Sequence, residues 1–165
     1  MKKGLNSLNP YVVTLELDST YSFTSDSNAQ YTLSLIDASY YLEEPKPIFE
    51  FSVYPVGDVK PPKDARIQDT IIWFLLEFFD ENSDNCLLFV CDSNDSRHKA
   101  RARLFDTWFN LLGSNFLEKY DHEIILEHED SDTPTSIVGS LIIHIENKDK
   151  AYILEEMAHI IALKY

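Results

Sequence analysis

One short apolar run constrains the fold of this chain more than any other stretch. Residues 86–91 read CLLFVC, and an uninterrupted apolar run of this length is typical of a strand that is buried on both faces of a sheet. A polar turn over residues 92–95 follows, and then an amphipathic helix from about Ser96 to Leu112. We therefore predict a central strand that has further layers of structure on both of its sides.

The remaining patterns predict an α+β fold with a mixed, largely antiparallel sheet and helices on both faces. Tyr31, Leu33 and Leu35 alternate with Thr32 and Ser34, which indicates a sheet with one solvated face. The SDSN stretch at residues 25–28 is suited to a hairpin turn. Further strands are predicted at residues 11–17, 21–24, 30–36, 48–54, 120–128 and 137–145.

Two more helices are predicted, from Ala65 to about Asp80 and from Lys150 to Leu163. Asp64 is a suitable N-cap for the first of them. Trp73 and its apolar neighbours extend the apolar surface of this helix almost all the way round. Such a helix is either buried within the fold or covered by a partner, which leaves room for a homodimer.

Composition and charge limit the class of protein. The chain has 165 residues, 44% of them hydrophobic, and we interpret residues 1–165 as a single domain with a loose lead-in over residues 1–10. A net charge of −14 disfavours direct nucleic-acid binding, which needs a basic face. The acidity indicates either simple solubility or an acidic surface that binds a basic partner or mimics nucleic acid.

The cysteines and the apolar runs indicate a cytoplasmic protein. Cys86 and Cys91 lie in one predicted strand at an odd spacing, so they face opposite sides and cannot pair with each other. Unpaired thiols fit a reducing compartment. The N-terminus lacks a signal-peptide pattern, and the longest apolar run is far short of the roughly 20 residues that span a bilayer. We expect no membrane association.

A cluster of charges follows the central strand and is the predicted binding site. Arg97 and Arg101 are four residues apart on the predicted helix and share a face. Asp92, Ser93 and Asp95 precede them at the carboxyl end of the strand, where ligands gather in open α/β sheets. An arginine pair can hold a phosphate or carboxylate. The alternative is structural, because the two aspartates can cap the helix and neutralise the arginines.

No catalytic or metal-binding motif is present in the sequence. The histidine spacing does not match a metal site, and there is no CxxC or HExxH motif. There is no GxSxG, P-loop or GxGxxG motif either. We therefore predict no catalytic residue, no metal and no cofactor from the motifs alone.

The order of elements resembles the GNAT acyltransferase fold from about Gln30 to Ile145. In that family acyl-CoA binds between two splayed central strands, with its pyrophosphate at the start of the first long helix. The resemblance places the splayed strands at Ile48–Tyr54 and Cys86–Cys91, and the helix start at Ala65. It implies acetyl-CoA as cofactor, with Lys63 and Arg66 as its binding residues.

The resemblance departs from the family at two specific points. The family signature Q/R-x-x-G-x-G/A falls on residues 61–67 here, which read PPKDARI and contain no glycine. Side chains at these positions block close approach of the phosphates, and Asp64 repels them. The family's catalytic tyrosine is replaced by Phe105, which has no proton to donate. A divergent enzyme would need a glutamate such as Glu50, or a water, as its base.

The strings DARIQDTI and FVCDSNDSRHKARARLFDTWF also resemble a family of small uncharacterised bacterial proteins found mainly in Bacteroidetes. This resemblance implies no activity. Our leading hypothesis is a non-catalytic binding module that takes a protein or a small anionic ligand at Arg97 and Arg101. The alternatives are a divergent GNAT-type N-acyltransferase that uses acyl-CoA, and an acidic surface for a basic partner.

Overall fold

A mixed sheet forms the centre of the fold. The computed structural model describes residues 7–57, 63–91, 98–112, 116–126 and 135–164, with side chains for all of these except residues 91, 98–101, 112, 124, 126, 135, 136 and 162–164. In these residues the sheet has seven strands: β1 (Thr14–Leu15), β2 (Thr20–Thr24), β3 (Gln30–Asp37), β4 (Ile48–Pro55), β5 (Cys86–Cys91), β6 (Leu117–Leu126) and β7 (Thr135–His144).

The sheet order is β1-β2-β3-β4-β5-β7-β6. Its neighbours are all antiparallel except β4 and β5, which are parallel. Parallel neighbours need a crossover connection, and this connection contains the helix α1 (Ala65–Glu81). The helices α2 (His98–Leu112) and α3 (Lys150–Lys164) follow β5 and β7. The predicted mixed, largely antiparallel α+β fold is confirmed.

The central strand β5 separates two hydrophobic cores. Leu87 and Phe89 pack in the core that also contains residues of α1 and α2, whereas Cys86 and Leu88 pack in the core that contains residues of α3. This division follows from the alternation of side chains along a strand. The prediction of a strand buried on both faces, between helices on both sides, is therefore confirmed.

The helix α1 begins where the sequence predicts. Asp64 has extended backbone angles and accepts a hydrogen bond from the Arg66 amide at 2.9 Å, as an N-cap residue does. Most of the predicted apolar surface of α1 is buried in the fold. No helix in the described ranges is long and apolar enough to cross a membrane.

The helix α3 packs closely on the opposite face of the sheet. The sequence pattern predicts that Ile153, Leu154, Met157, Ile160 and Ile161 point inward; Leu154 is partly buried and the other four are buried. A Cβ atom at Gly139 of β7 would lie 2.9 Å from Cγ1 of Ile161. Glycine at this position therefore lets the helix approach the strand to van der Waals contact.

The first predicted strand is wrong in its extent. A strand was predicted over residues 11–17, but only Thr14–Leu15 pair with β2. The backbone amide of Tyr11 donates instead to Oγ1 of Thr70 at 2.9 Å, on α1. Asp18 and Ser19 then adopt positive φ angles of 48° and 61°, which turn the chain into β2.

The periodicity of α2 predicts a core stripe of Leu104, Phe105, Trp108, Leu111 and Leu112, and the structure corrects this prediction. Phe105 and Trp108 are buried as expected, but Leu104 and Leu111 are 48% and 55% exposed. Phe105 stacks on Phe89 of β5 with ring centroids 4.1 Å apart. Because each helical residue turns the side chain by about 100°, Leu104 and Leu111 lie on a lateral face of α2, beside the buried face that carries Phe105.

The last two strands begin earlier than predicted. The sequence predicts them at residues 120–128 and 137–145, whereas the structure has them at Leu117–Leu126 and Thr135–His144, and residues 127 and 128 lie outside the described residues. Their register pairs Leu117 with His144 and Leu126 with Thr135. Cross-strand pairing, which the apolar pattern of one strand does not reveal, decides these limits.

Candidate functional site

The parallel strands β4 and β5 separate towards their carboxyl ends. They pair at three positions, of which the last joins Glu50 to Leu88. Beyond this point β4 continues alongside β3 as far as Pro55, and β5 continues alongside β7 as far as Cys91. Each strand therefore follows its antiparallel neighbour, and a gap opens in the middle of the sheet.

A cleft of about 740 Å³ occupies this gap. We call it the strand cleft, and its lining is mainly apolar and aromatic. Its walls come from both separated strands, from β3 and from the helices α1 and α2. The lining residues are Tyr31, Glu50, Phe51, Ser52, Val53, Tyr54, Pro55, Ile67, Ile71, Phe89, Val90, Leu104 and Trp108.

The two sides of the strand cleft differ in chemistry. Phe51 and Val53 pack in the core that contains residues of α1 and α2. Glu50, Ser52 and Tyr54 alternate with them along β4 and therefore point to the opposite face of the sheet. The cleft thus has an apolar side against the helices and a side that carries a carboxylate and two hydroxyl groups.

The structure defines the hydrogen-bond partner of Ser52 and the protonation state of Tyr31, two polar side chains of the strand cleft. The hydroxyl groups of Ser52 and Ser34 lie 2.6 Å apart across β4 and β3. Burial, and secondarily the negative charge of Asp64, raises the pKa of Tyr31 above its ordinary value. The Tyr31 phenol is therefore protonated at neutral pH, and it can donate a hydrogen bond.

The helix wall of the strand cleft is anchored from two directions. The Phe105–Phe89 stack fixes α2 over β5. In addition, Nζ of Lys119 on β6 lies 2.6 Å from a carboxylate oxygen of Asp106 on α2, and the Lys119 side chain is only 8% exposed. Asp121 also pairs with Lys119 and accepts a hydrogen bond from Ser140 at 2.6 Å. This network holds α2 against the sheet.

Most of the predicted arginine site lies outside the described residues. Asp92, Ser93, Asp95 and Arg97 belong to the segment between β5 and α2, and Arg101 lies in α2 with its side chain outside the description. The anion site predicted at these residues stays a prediction.

The residues that the GNAT resemblance implies for CoA binding lie at the start of α1. Lys63 is exposed. The Arg66 guanidinium lies 3.9 Å from the ring centroid of Tyr11, donates to the Asn9 carbonyl at 3.1 Å and pairs with Asp26 at 2.9 Å. Arg66 thus fastens the N-terminal segment to α1 in this structure.

A carboxylate occupies the N-terminal end of α1. Besides capping the helix, Asp64 accepts a hydrogen bond from the Tyr11 hydroxyl at 2.6 Å. Burial and this hydrogen bond raise the pKa of Tyr11. The negative charge of Asp64 takes the place at the helix dipole where a phosphate would otherwise be stabilised.

Metal ligation and thiol chemistry find little support in the described residues. No group of three His, Cys, Asp or Glu side chains among them is placed to hold a metal ion. The Cys86 thiol is fully buried, and burial raises its pKa to about 12. A thiol in this state is not a nucleophile at neutral pH.

Sequence reasoning from the residues alone did not find the strand cleft. The periodicity of α2 predicts Trp108 in a core stripe, and the alternation in residues 30–36 predicts Tyr31 on the apolar face of a strand. The GNAT resemblance named the two strands, but only Glu50 of the lining was given a role. One signal was available, because a helix that joins two neighbouring strands indicates a parallel pair, and ligands bind at the carboxyl ends of such strands.

Comparison with known proteins identifies a family. Residues 63–159, more than half of the chain, match the Family of unknown function (DUF6169). This match covers α1, β5, α2, β6, β7 and most of α3, and it includes the two strings on which the resemblance to an uncharacterised family rests. Comparisons with curated proteins and with solved structures give no match. The chain therefore belongs to the DUF6169 family, whose function is unknown.

Proposed function

We propose that this chain is a ligand-binding domain and that the strand cleft is its binding site. The separation of β4 and β5 is the observation that carries the proposal. Neighbouring strands gain stability from shared hydrogen bonds and packed side chains. In the described residues, β4 and β5 do not pair beyond Glu50 and Leu88. A gap of this kind at the carboxyl ends of parallel strands is a common place for a ligand.

The lining indicates the chemical class of the ligand. A volume of about 740 Å³ falls within the range of roughly 300–1,000 Å³ that is typical of small-molecule sites. The aromatic and aliphatic side favours a ligand with an apolar body. The hydroxyl groups of Ser52 and Tyr54 and the carboxylate of Glu50 favour a polar group at the other end.

The proposal predicts that an apolar probe binds in the strand cleft. A larger side chain in the lining of the cleft should weaken the binding of this probe. We expect anilinonaphthalene sulfonate to bind the folded protein, with fluorescence enhancement that saturates at micromolar concentrations. Leu104→Tyr should weaken this binding at least tenfold, because Leu104 lines the cleft and a larger ring at this half-exposed position projects into it. Fluorescence titration measures the effect.

Leu111→Tyr is the matched control for this experiment. Leu111 lies on the same lateral face of α2, is similarly exposed and does not line the cleft. We expect Leu111→Tyr to bind the probe like the parent protein, with both variants unfolding cooperatively. Equal affinity in Leu104→Tyr and Leu111→Tyr, or no saturable binding to the parent, would refute the strand cleft as a binding site.

A second candidate function is acyl transfer from acyl-CoA to an amine. Two features favour it. The strands that separate are those that the GNAT resemblance names, and Glu50 lines the gap at the point where the separation begins. In this reaction the amine nitrogen attacks the thioester carbonyl and loses a proton to Glu50. The carbon–sulfur bond then breaks, and the CoA thiolate leaves and takes up a proton.

Calorimetric titration with acetyl-CoA tests this second function. If it holds, the parent protein binds acetyl-CoA with micromolar affinity, and Lys63→Ala weakens the binding. Glu50→Gln should keep the affinity but lower the rate of transfer to an amine panel by about 100-fold or more, which is the usual contribution of a general base. No heat at millimolar acetyl-CoA, with probe binding still present, would exclude acyl transfer and retain the binding domain.

A further inference from the structure

A second and smaller groove lies between α1 and the strands β1 and β2. Its volume is about 220 Å³. Leu15 and Tyr21 contribute from the strands, and Trp73, Phe74, Glu77 and Glu81 contribute from α1. Tyr21 and Phe74 meet edge to face at 4.9 Å, so this apolar floor is preformed. We call this site the edge groove, because β1 is an outer strand of the sheet.

The charges along the edge groove are unfavourable for the isolated protein. Glu77 and Glu81 are four residues apart on one face of α1, where like charges repel. Both lie towards the carboxyl end of the helix, whose dipole disfavours acids, and the last turn of α1 contains no basic residue. Within the described part of the chain, neither carboxylate has a cationic partner. The two carboxylates are therefore placed where neither the helix dipole nor an ion pair stabilises them.

We propose that the edge groove binds a basic, partly apolar segment of a partner protein, with an arginine or lysine side chain in the groove. Aromatic faces next to carboxylates attract a cation through its interaction with the ring and through ion pairing. Trp73 and Tyr21 supply the rings, and Glu77 and Glu81 supply the charges.

Size and net charge point to this occupant. A groove of about 220 Å³ is smaller than the roughly 300 Å³ at which small-molecule pockets begin, so it is suited to a single inserted side chain. Leu15 is 61% exposed beside it and offers apolar surface to a flanking residue. A second copy of this chain carries a net charge of −14 itself, which opposes self-docking.

The two tryptophans of the chain allow the groove to be tested separately from the strand cleft. Trp73 lines the edge groove and Trp108 lines the strand cleft. In the Trp108→Phe protein, Trp73 is the only indole. The probe is an eight-residue peptide of alternating arginine and leucine, and the matched peptide has glutamine in place of arginine. We expect the arginine peptide to change the Trp73 emission saturably and to bind at least tenfold more tightly than the glutamine peptide.

Charge variants locate the binding. Glu77→Gln with Glu81→Gln should weaken the arginine peptide about fivefold or more, because two ion pairs are lost. Glu123→Gln with Glu155→Gln changes the net charge equally at exposed positions on β6 and α3 and should leave the affinity nearly unchanged. The first pair should also unfold at the same or a higher temperature than the parent, since it removes repulsion at the end of α1.

Three results would overturn the proposal. The first is an unchanged Trp73 emission at saturating peptide. The second is an equal loss of affinity in the two charge variants, which would mean general attraction to an acidic protein. The third is a peptide response confined to Trp108 in the Trp73→Phe protein, which would place the peptide in the strand cleft.

Discussion

Asn147→Ala is expected to lower the free energy of unfolding by about 2–4 kcal/mol, through the loss of two partly buried hydrogen bonds made by a buried side chain. The Asn147 side chain accepts from the Asp149 amide at 2.8 Å and donates to the Asp84 carbonyl at 2.8 Å. It also lies 3.4 Å from the Cys86 sulfur. Because Asn147 is only 6% exposed, water does not replace these partners after truncation.

The position of Asn147 in the fold explains why its truncation should lower the stability of the protein. Asn147 lies in the turn between β7 and α3, and its partners lie at the start of α3 and just before β5. It therefore joins the last helix to the central strand. Its removal leaves a carbonyl and an amide without partners at the junction of three elements.

Thermal and urea unfolding measure the effect of Asn147→Ala, and the melting temperature should fall by roughly 4–16 °C. Asn82→Ala is the matched control, because Asn82 is exposed and its side chain accepts one hydrogen bond among the described residues, from the Asp84 amide at 2.9 Å. Asn82→Ala should lower the free energy of unfolding by less than about 1 kcal/mol. Equal losses in the two alanine variants would contradict this account of Asn147.

The second large effect is a loss of stability in alkaline solution that depends on Cys86. Burial, and then the negative charge of Asp149, raises the pKa of Cys86 from 9.0 to about 12. The folded protein therefore keeps its thiol proton between about pH 9 and pH 12, whereas the unfolded chain releases it. The stabilisation is complete below pH 9 and is lost as the pH rises towards 12, at about 1.4 kcal/mol per pH unit.

Paired urea titrations from pH 7.5 to 10.5 measure this loss. Several tyrosines, including Tyr11 and Tyr120, also have raised pKa values, so the comparison is between the parent and Cys86→Ala. Both proteins carry Cys91→Ser, which removes the second thiol from the chain. The stability advantage of the parent should shrink by roughly 2 kcal/mol between pH 9 and pH 10.5. Parallel curves for the two proteins would show that Cys86 does not contribute.

The apolar patterns of this chain predict which residues are buried better than they predict which elements meet. The run Cys86–Cys91 indicates a strand covered on both faces, because every one of its side chains needs an apolar neighbour. Tyr11 has the same apolar character, yet it leaves the sheet. Its hydrogen-bond partners Asp64 and Thr70 are 53 and 59 residues away along the chain, so no local pattern reveals them.

The candidate site was predictable only in part, for a related reason. The element order identifies β4 and β5 as neighbours, and the carboxyl ends of such strands are a general place for ligands. The length over which they pair depends on how each strand follows β3 or β7, which the sequence of β4 and β5 does not state. Leu104 was assigned to the core because it is apolar, whereas its exposure depends on the angle at which Phe105 docks on Phe89.

The short parallel pairing between β4 and β5, which we call the parallel seam, affects how the protein would respond to a ligand. In the described sheet, β1–β4 form one antiparallel half and β5–β7 form another, and three residue pairs join the halves. A ligand in the strand cleft would contact both halves at once and would hold them together across this seam. Part of its binding energy would then appear as resistance of the protein to unfolding.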